Sequence, residues 1–159
     1  MGRIEQGRYM ENNPEMVEKL GLLGAGKEER GVLEMPLIEA AYFQEKGKIE
    51  SGKTSREIIE IAMERDTLAK EKFLVLKKLR ESGRIVRFGP GEYLRIYKKG
   101  IRIGQDRTEF LLRVHRTDKK PSLLEDLRAA GKMRKALFYA FVDPEGEIHF
   151  VKAYRAGLE

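Results

Sequence analysis

Few side chains in this sequence have the type and spacing of a known catalytic site. There is no cysteine, and the two histidines, His115 and His149, are far apart and lack metal-ligand spacing, so no metal site is predicted. No glycine-rich phosphate loop precedes a helix. Tyr97 and Lys135 stand at the ends of apolar segments. Taken alone, Tyr97 is typical of a sheet aromatic and Lys135 of a solvated charge.

The composition indicates a soluble and strongly charged protein with a basic excess. Hydrophobic residues make up 41% of the chain, enough for a packed interior, and charged residues make up 36%. The net charge of +6 favours a polyanionic partner, although a charge-rich surface like that of heat-adapted proteins is the alternative. No apolar run approaches the roughly 20 residues of a membrane span. Together with the missing cysteines, this predicts a cytoplasmic location.

The first half of the chain is predicted to be helical. A helix that begins at Pro36 has apolar residues at helical spacing and is expected to end at Gly47. Thr54-Ser-Arg-Glu57 has the spacing of a capping box and opens a second helix. A third helix is predicted from Leu68 to Gly83.

After Gly83 the spacing of apolar residues changes from helical to alternating. Gly89-Pro-Gly91 is a strong turn signal between two strands. Ser122-Leu-Leu-Glu125 repeats the capping-box spacing and opens a short helix that is expected to end near Gly131. The predicted strands cover residues 84–88, 93–97, 109–114, 136–142 and 148–154.

These elements predict an α+β fold with two domains. Residues 1–83 are expected to form a mainly helical N-terminal domain, in which residues 1–30 are a loosely ordered lead-in. Residues 84–159 are expected to form a C-terminal domain with a mixed β-sheet and one or two helices.

Several of these segments occur in an order that is known from one protein family. A strand pair ending in Arg95-Ile-Tyr97 is followed by the strand EFLLRV, a short helix and the segment RKALFYAFVDPEGEIHF. Upstream, Leu33–Tyr42 is similar to a family helix written LSLVEALYL, and Phe73–Val86 is similar to its segment YLVYKDLRxRGYIV. The chain thus resembles the archaeal tRNA-splicing endonuclease family over about three quarters of its length. The resemblance implies a nuclease-like C-terminal domain.

The resemblance also implies an RNA cleavage that needs no metal or other cofactor. The RNA's own 2′-hydroxyl attacks the adjacent phosphate and leaves a 2′,3′-cyclic phosphate and a 5′-hydroxyl, while a tyrosine, a histidine and a lysine transfer protons and stabilise charge. The family tyrosine falls on Tyr97, within Arg95-Ile-Tyr-Lys-Lys-Gly100, and the lysine falls on Lys135. The position of the family histidine is occupied by Arg107.

Arg107 is a poor proton donor because the guanidinium pKa lies above about 12. The resemblance therefore implies a structural subunit that pairs with a catalytic subunit in a heterotetramer and helps hold precursor tRNA at a bulge-helix-bulge motif. A catalytic subunit with an altered general acid is the alternative. The residues expected to contact RNA are Arg84, Arg87, Arg95, Lys98, Lys99 and Arg107.

The acidic turn between the last two strands is expected to serve assembly. In the family the corresponding loop inserts into a basic pocket of a neighbouring subunit, and charge complementarity of this kind favours the correct partner. Taken alone, the same residues suit a plain hairpin turn. The last strand is a natural site for edge-to-edge pairing. The expected interface residues are Asp143, Glu145, Glu147, Ile148, Phe150 and Tyr154.

A winged-helix module that binds DNA is a hypothesis from a different class. Lys77-Lys-Leu-Arg80 ends the third predicted helix, and an arginine-rich strand–turn–strand follows it, as in such modules. This hypothesis leaves the second capping-box sequence and the acidic turn unexplained.

Overall fold

The computed structural model describes residues 2–99 and 108–158 and confirms the predicted α+β fold class. Two compact units are present, Met1–Lys77 and Lys78–Glu159, and each contains its own β-sheet. Among the helices in the described residues, none has the length and apolar character that crossing a bilayer requires.

The first unit contains a four-stranded antiparallel sheet that is not predicted from the sequence. Its strands are β1 (Arg3–Glu5), β2 (Arg8–Glu11), β3 (Lys27–Glu29) and β4 (Val32–Pro36), in the order β1-β2-β4-β3. Two-residue turns, Gln6-Gly7 and Arg30-Gly31, close the hairpins, and all four turn residues have positive φ. Positive φ at both central residues suits the tight turns that match the twist of paired strands.

The expectation that residues 1–30 are loosely ordered is therefore wrong. The strands are short and rich in charge, and in β2 a buried Glu11 breaks the usual alternation of apolar and polar residues. Glu11 accepts hydrogen bonds from the Tyr9 hydroxyl (3.1 Å) and the Asn13 amide (3.3 Å), which offset the cost of burying it. Residues 33–36, assigned to a helix by resemblance, belong to strand β4.

The three helices predicted for the first half of the chain are present. The Thr54 hydroxyl accepts from the Glu57 amide (3.1 Å), and the Glu57 carboxylate accepts from the Thr54 amide (3.0 Å), so the capping box is complete. A further helix, not predicted, begins after Asn13, whose side chain caps it. The helices are α1 (Pro14–Leu22), α2 (Leu37–Glu45), α3 (Ser55–Met63) and α4 (Ala69–Glu81).

The second unit contains the five predicted strands in one mixed sheet. Its strands are β5 (Val86–Phe88), β6 (Tyr93–Tyr97), β7 (Thr108–Arg116), β8 (Ala136–Val142) and β9 (Ile148–Ala153), in chain order across the sheet. Neighbouring strands are antiparallel except β7 and β8, which are parallel. A parallel pair needs a crossover, and helix α5 (Leu123–Lys132) supplies it.

Helix α5 differs from the prediction at its start. Ser122 occupies the N-cap position but makes no capping hydrogen bond through its side chain, because its ψ of 69° is not the extended value of a cap. The helix packs its inner face on the sheet, where Ala130 meets Leu111, Leu137 and Tyr139. The arginine-rich hairpin β5–β6 is part of this five-stranded sheet, which does not favour the winged-helix hypothesis.

Candidate functional site

Tyr97 lies at the last position of β6, beside the first residue of β7. Its side chain is buried, and its amide donates to the carbonyl of Ile85 at 3.0 Å. It pairs with Thr108, and the register of the two strands shifts between Ile96 and Tyr97. A bulge of this kind redirects a side chain at the end of a strand.

Lys135 lies at the same end of the sheet, in the turn that follows α5. Arg134 adopts a left-handed conformation (φ 54°), and the Lys135 amide donates to the carbonyl of Ala130 at 3.0 Å. The next residue, Ala136, begins β8 and pairs with Phe110 of β7. Tyr97 and Lys135 therefore flank the start of β7 from its two neighbouring strands. Arg107 directly precedes β7 in the sequence and lies outside the described residues.

The five described residues expected to contact RNA differ in their exposure and in their contacts within the chain. Arg84 donates to the carbonyl of Tyr97 (3.1 Å) and to the Glu109 carboxylate (2.7 Å), and the Nε atom of Arg95 donates to the carbonyl of Gly89 (3.1 Å). Lys98 and Lys99, directly after Tyr97, have exposed side chains. Arg87 is half-buried and opposes Arg95 across β5 and β6.

The acidic turn is organised by one of its own carboxylates. Asp143 accepts from the amides of Glu145 (3.0 Å) and Glu147 (2.9 Å), and its second oxygen lies 3.1 Å from the Nε2 atom of His149. The hydrogen bond with His149, reinforced by the two amides, holds the pKa of Asp143 below its ordinary value. Gly146 provides the positive φ (84°) that the turn requires. Glu145 and Glu147 remain exposed and present the negative charge of the turn.

The proximity of ligand-type atoms in this turn follows from the same hydrogen bonds. Oxygen or nitrogen atoms of Asp143, Glu147 and His149 lie within 4.8 Å of one another. The hydrogen bond between Asp143 and His149 explains why these atoms are close together. We therefore interpret the cluster as part of the structure of the turn.

Strand β9 forms one edge of the sheet and carries apolar side chains that face solvent. Phe150 is 40% exposed and Tyr154, directly after the strand, is 74% exposed, whereas Ile148 is half-buried. The strand pairs with β8 on one side. An edge with apolar residues is the kind of surface that proteins usually cover.

A buried polar network connects α5 to the sheet, and no motif in the sequence predicts it. Asp126 is fully buried and accepts hydrogen bonds from the hydroxyls of Tyr93 and Tyr139 (both 2.6 Å) and from Arg113 (2.7 Å). These donors belong to β6, β8 and β7, respectively, so one carboxylate joins the helix to three strands. The alternation of side chains along each strand places Tyr93, Arg113 and Tyr139 on the same face of the sheet. This alternation is the sequence signal from which the network could have been predicted.

The network perturbs the ionisation of its members. Burial acts to raise the pKa of Asp126, but the hydrogen bonds from Tyr139, Tyr93 and Arg113 outweigh it and the pKa is lowered. Burial and the hydrogen bond to the Asp126 carboxylate raise the pKa of Tyr93 to about 12. Asp126 therefore stays charged and both tyrosines stay neutral near pH 7.

His115 lies too far along β7 to replace the family histidine. It follows Thr108 by seven residues, which is about 23 Å at roughly 3.3 Å per residue. Its ring packs beside Tyr139 and Phe141, with centroid distances of 5.7 and 6.1 Å. Burial and the nearby Arg113 charge lower the pKa of His115, which favours its neutral form.

Comparison with known proteins finds related sequences over most of the chain. Residues 69–150 match the family model described as tRNA intron endonuclease, catalytic C-terminal domain. A tRNA-splicing endonuclease of Thermococcus kodakarensis is 34% identical over 137 residues, covering 80% of both chains. One from Methanothermobacter thermautotrophicus is 33% identical over 135 residues, covering 79% of this chain and 78% of its own. One from Methanococcoides burtonii is 33% identical over 144 residues, which are 84% of this chain and 40% of its own.

Proposed function

The chain belongs to the tRNA intron endonuclease family, and on that premise we propose that it is the structural subunit of a tRNA-splicing endonuclease. The observation that supports the proposal is an arginine at residue 107, which the resemblance places where the family has its histidine. Tyr97 and Lys135, which the resemblance places at the other two family positions, flank the start of β7.

The chemistry explains why this one replacement matters. When the 2′-oxygen attacks phosphorus, its proton must leave, and the departing 5′-oxygen must gain a proton as its bond to phosphorus breaks. A histidine with a pKa near about 6.5 can release a proton at neutral pH, whereas a guanidinium with a pKa above about 12 holds its protons. Arg107 would therefore bind a phosphate well and transfer a proton poorly.

Assembly with a partner would use the acidic turn and the edge strand. Glu145 and Glu147 are exposed on a turn that Asp143 holds in a fixed conformation, so their charges are presented without a large ordering cost. The exposed Phe150 and Tyr154 lie on or next to β9, where pairing with a second sheet would bury them.

Reconstitution tests the proposed function. We expect the purified chain to bind a precursor tRNA that contains a bulge-helix-bulge motif and to leave it uncut. Adding a homologue that carries the family histidine should produce cleavage, with both proteins in one complex by analytical ultracentrifugation. Cleavage by the isolated chain at the rate of the mixed complex, dependent on Tyr97 and Lys135, would instead favour the alternative of a catalytic subunit.

Removing the charge of the acidic turn should weaken assembly. Glu145→Gln combined with Glu147→Gln is expected to raise the Kd for the partner roughly tenfold or more, about 1.4 kcal/mol or more, because the attraction to a basic pocket is lost. The effect should shrink at high salt. Glu125→Gln with Asp118→Asn removes two exposed charges elsewhere and serves as the matched control. Equal partner affinity for both double variants, measured by surface plasmon resonance, would remove the turn from the interface.

A further inference from the structure

We propose that Arg84 is a positioning residue that fixes the end of β6, and that the phosphate contacts next to it are made by Lys98 and Lys99. This inference rests on the proposed function in so far as the chain binds precursor tRNA. It changes the role of Arg84, which was expected from the sequence to contact RNA.

One guanidinium group connects Arg84 to three residues at the junction of β6 and β7. Its Nη1 atom donates to the Tyr97 carbonyl (3.1 Å) and to the Glu109 carboxylate (2.7 Å). Its Cζ atom lies 5.6 Å from the centroid of the Phe110 ring, within the range of a cation–π contact. The group is thus engaged by a carbonyl, a carboxylate and an aromatic ring of its own unit.

The contacts of Arg84 lie where the pairing of β6 with β7 is irregular. The β6–β7 register shifts between Ile96 and Tyr97, so the pairing of the two strands is irregular at this point. Arg84 holds the last residue of β6 to the second residue of β7 across that irregularity. Without it, the direction in which the chain leaves Tyr97 would be less fixed.

Arg84 is poorly placed to bind a phosphate as well. Its side chain is only 24% exposed, and a phosphate would have to compete with Glu109 for the same guanidinium. Lys98 and Lys99 have no such restriction of exposure and follow Tyr97 directly. We therefore assign the salt-dependent part of RNA binding at this end of the sheet to Lys98 and Lys99. The role of Arg84 is to orient these two lysines.

Salt-dependent RNA binding separates a positioning role from a phosphate contact. Each phosphate contact contributes roughly 0.7 to 0.9 to the slope of log K against log salt. We expect Lys98→Gln with Lys99→Gln to reduce the slope by about 1.5. Arg84→Gln and Glu109→Gln should each weaken binding by roughly threefold to tenfold with the slope unchanged, and the double variant should be no weaker than either. All binding measurements are made far below the unfolding temperature. A residue that contributes only to the global stability of the fold would therefore leave the RNA affinity unchanged.

The opposite pattern would overturn the proposal. If Arg84 binds a phosphate, Arg84→Gln lowers the slope by nearly one unit, and Glu109→Gln tightens binding because it removes a competing negative charge. A slope that does not change in the double lysine variant would also contradict the assignment of the phosphate contacts.

Amide hydrogen exchange tests the positioning role without RNA, so its failure can be told apart from that of the proposed function. Arg84→Gln and Glu109→Gln should speed exchange of the Tyr97 amide, which is bonded to Ile85, and leave the amide of Leu112 in the middle of β7 unaffected. The double lysine variant should leave the Tyr97 amide unchanged. Unchanged exchange at Tyr97 in Arg84→Gln would refute the positioning role even if the protein binds precursor tRNA as proposed.

Discussion

On the proposed structural role, replacing Arg107 by histidine is expected to add cleavage activity to this chain. A well-placed general acid or base contributes about 10² to 10⁴-fold to a rate, so Arg107→His should raise cleavage of a bulge-helix-bulge substrate by that factor. The gain depends on Tyr97 and Lys135, which already flank the start of β7.

The measurement needs a complex in which only this chain can cut. The variant is combined with a homologous partner whose own histidine has been replaced, and single-turnover cleavage is followed. Arg107→Gln is the matched control, since it removes the positive charge without adding a group that titrates near neutral pH. If Arg107→His assembles and binds RNA but stays as inactive as Arg107→Gln, the missing histidine is not the basis of the proposed structural role.

The pH dependence gives this prediction a second readout. A histidine that donates a proton must be protonated, so the activity gained by Arg107→His should be greatest at low pH and fall as pH rises through the histidine pKa, ordinarily about 6.5. Arg107→Gln has no such group and should show no change in that interval. A rate that rises with pH instead would assign the histidine the role of a base.

Asp126→Asn is expected to cause a large loss of stability in the second unit. The carboxylate is fully buried and accepts from Tyr93, Tyr139 and Arg113. An amide keeps the size but presents an N–H group to these donors and leaves the arginine without its counter-charge. Breaking a fully buried ion pair costs about 3 to 5 kcal/mol, and because Arg113 is 26% exposed the cost here should be about 3 kcal/mol. Urea unfolding at pH 7 measures the change.

Two comparisons identify the carboxylate as the source of the effect. Tyr93→Phe removes one of the hydrogen bonds and should cost only about 1 to 2 kcal/mol. The folded-state pKa of Asp126 lies below its ordinary value of 3.8, so its contribution is present above that value and is lost as pH falls through the lowered pKa. Wild-type and Asp126→Asn stabilities should therefore converge in acid. A difference below 1 kcal/mol at pH 7 would show that the network is not a main source of stability.

The sequence by itself determined the elements that depend on neighbouring residues. The Thr54 capping box and the strands on either side of Gly89-Pro-Gly91 were predictable because both are local: a cap joins residues three apart, and a turn joins adjacent strands. The N-terminal sheet was missed because its strands are only three to five residues long and its turns, Gln6-Gly7 and Arg30-Gly31, are weak hairpin signals.

The order of segments also pointed to the family and to Tyr97, Lys135 and Arg107, since these assignments need only collinear motifs. What each side chain contacts was decided by the tertiary structure. The antiparallel pairing of β6 with β7 and the parallel pairing of β7 with β8 bring Tyr97 and the turn carrying Lys135 to one end of the sheet. The same packing buries Asp126 among three donors and directs Arg84 to Glu109, 25 residues away. The partners of a charged side chain such as Arg84 or Asp126 cannot be predicted from the sequence alone, because they lie on strands that are distant along the chain.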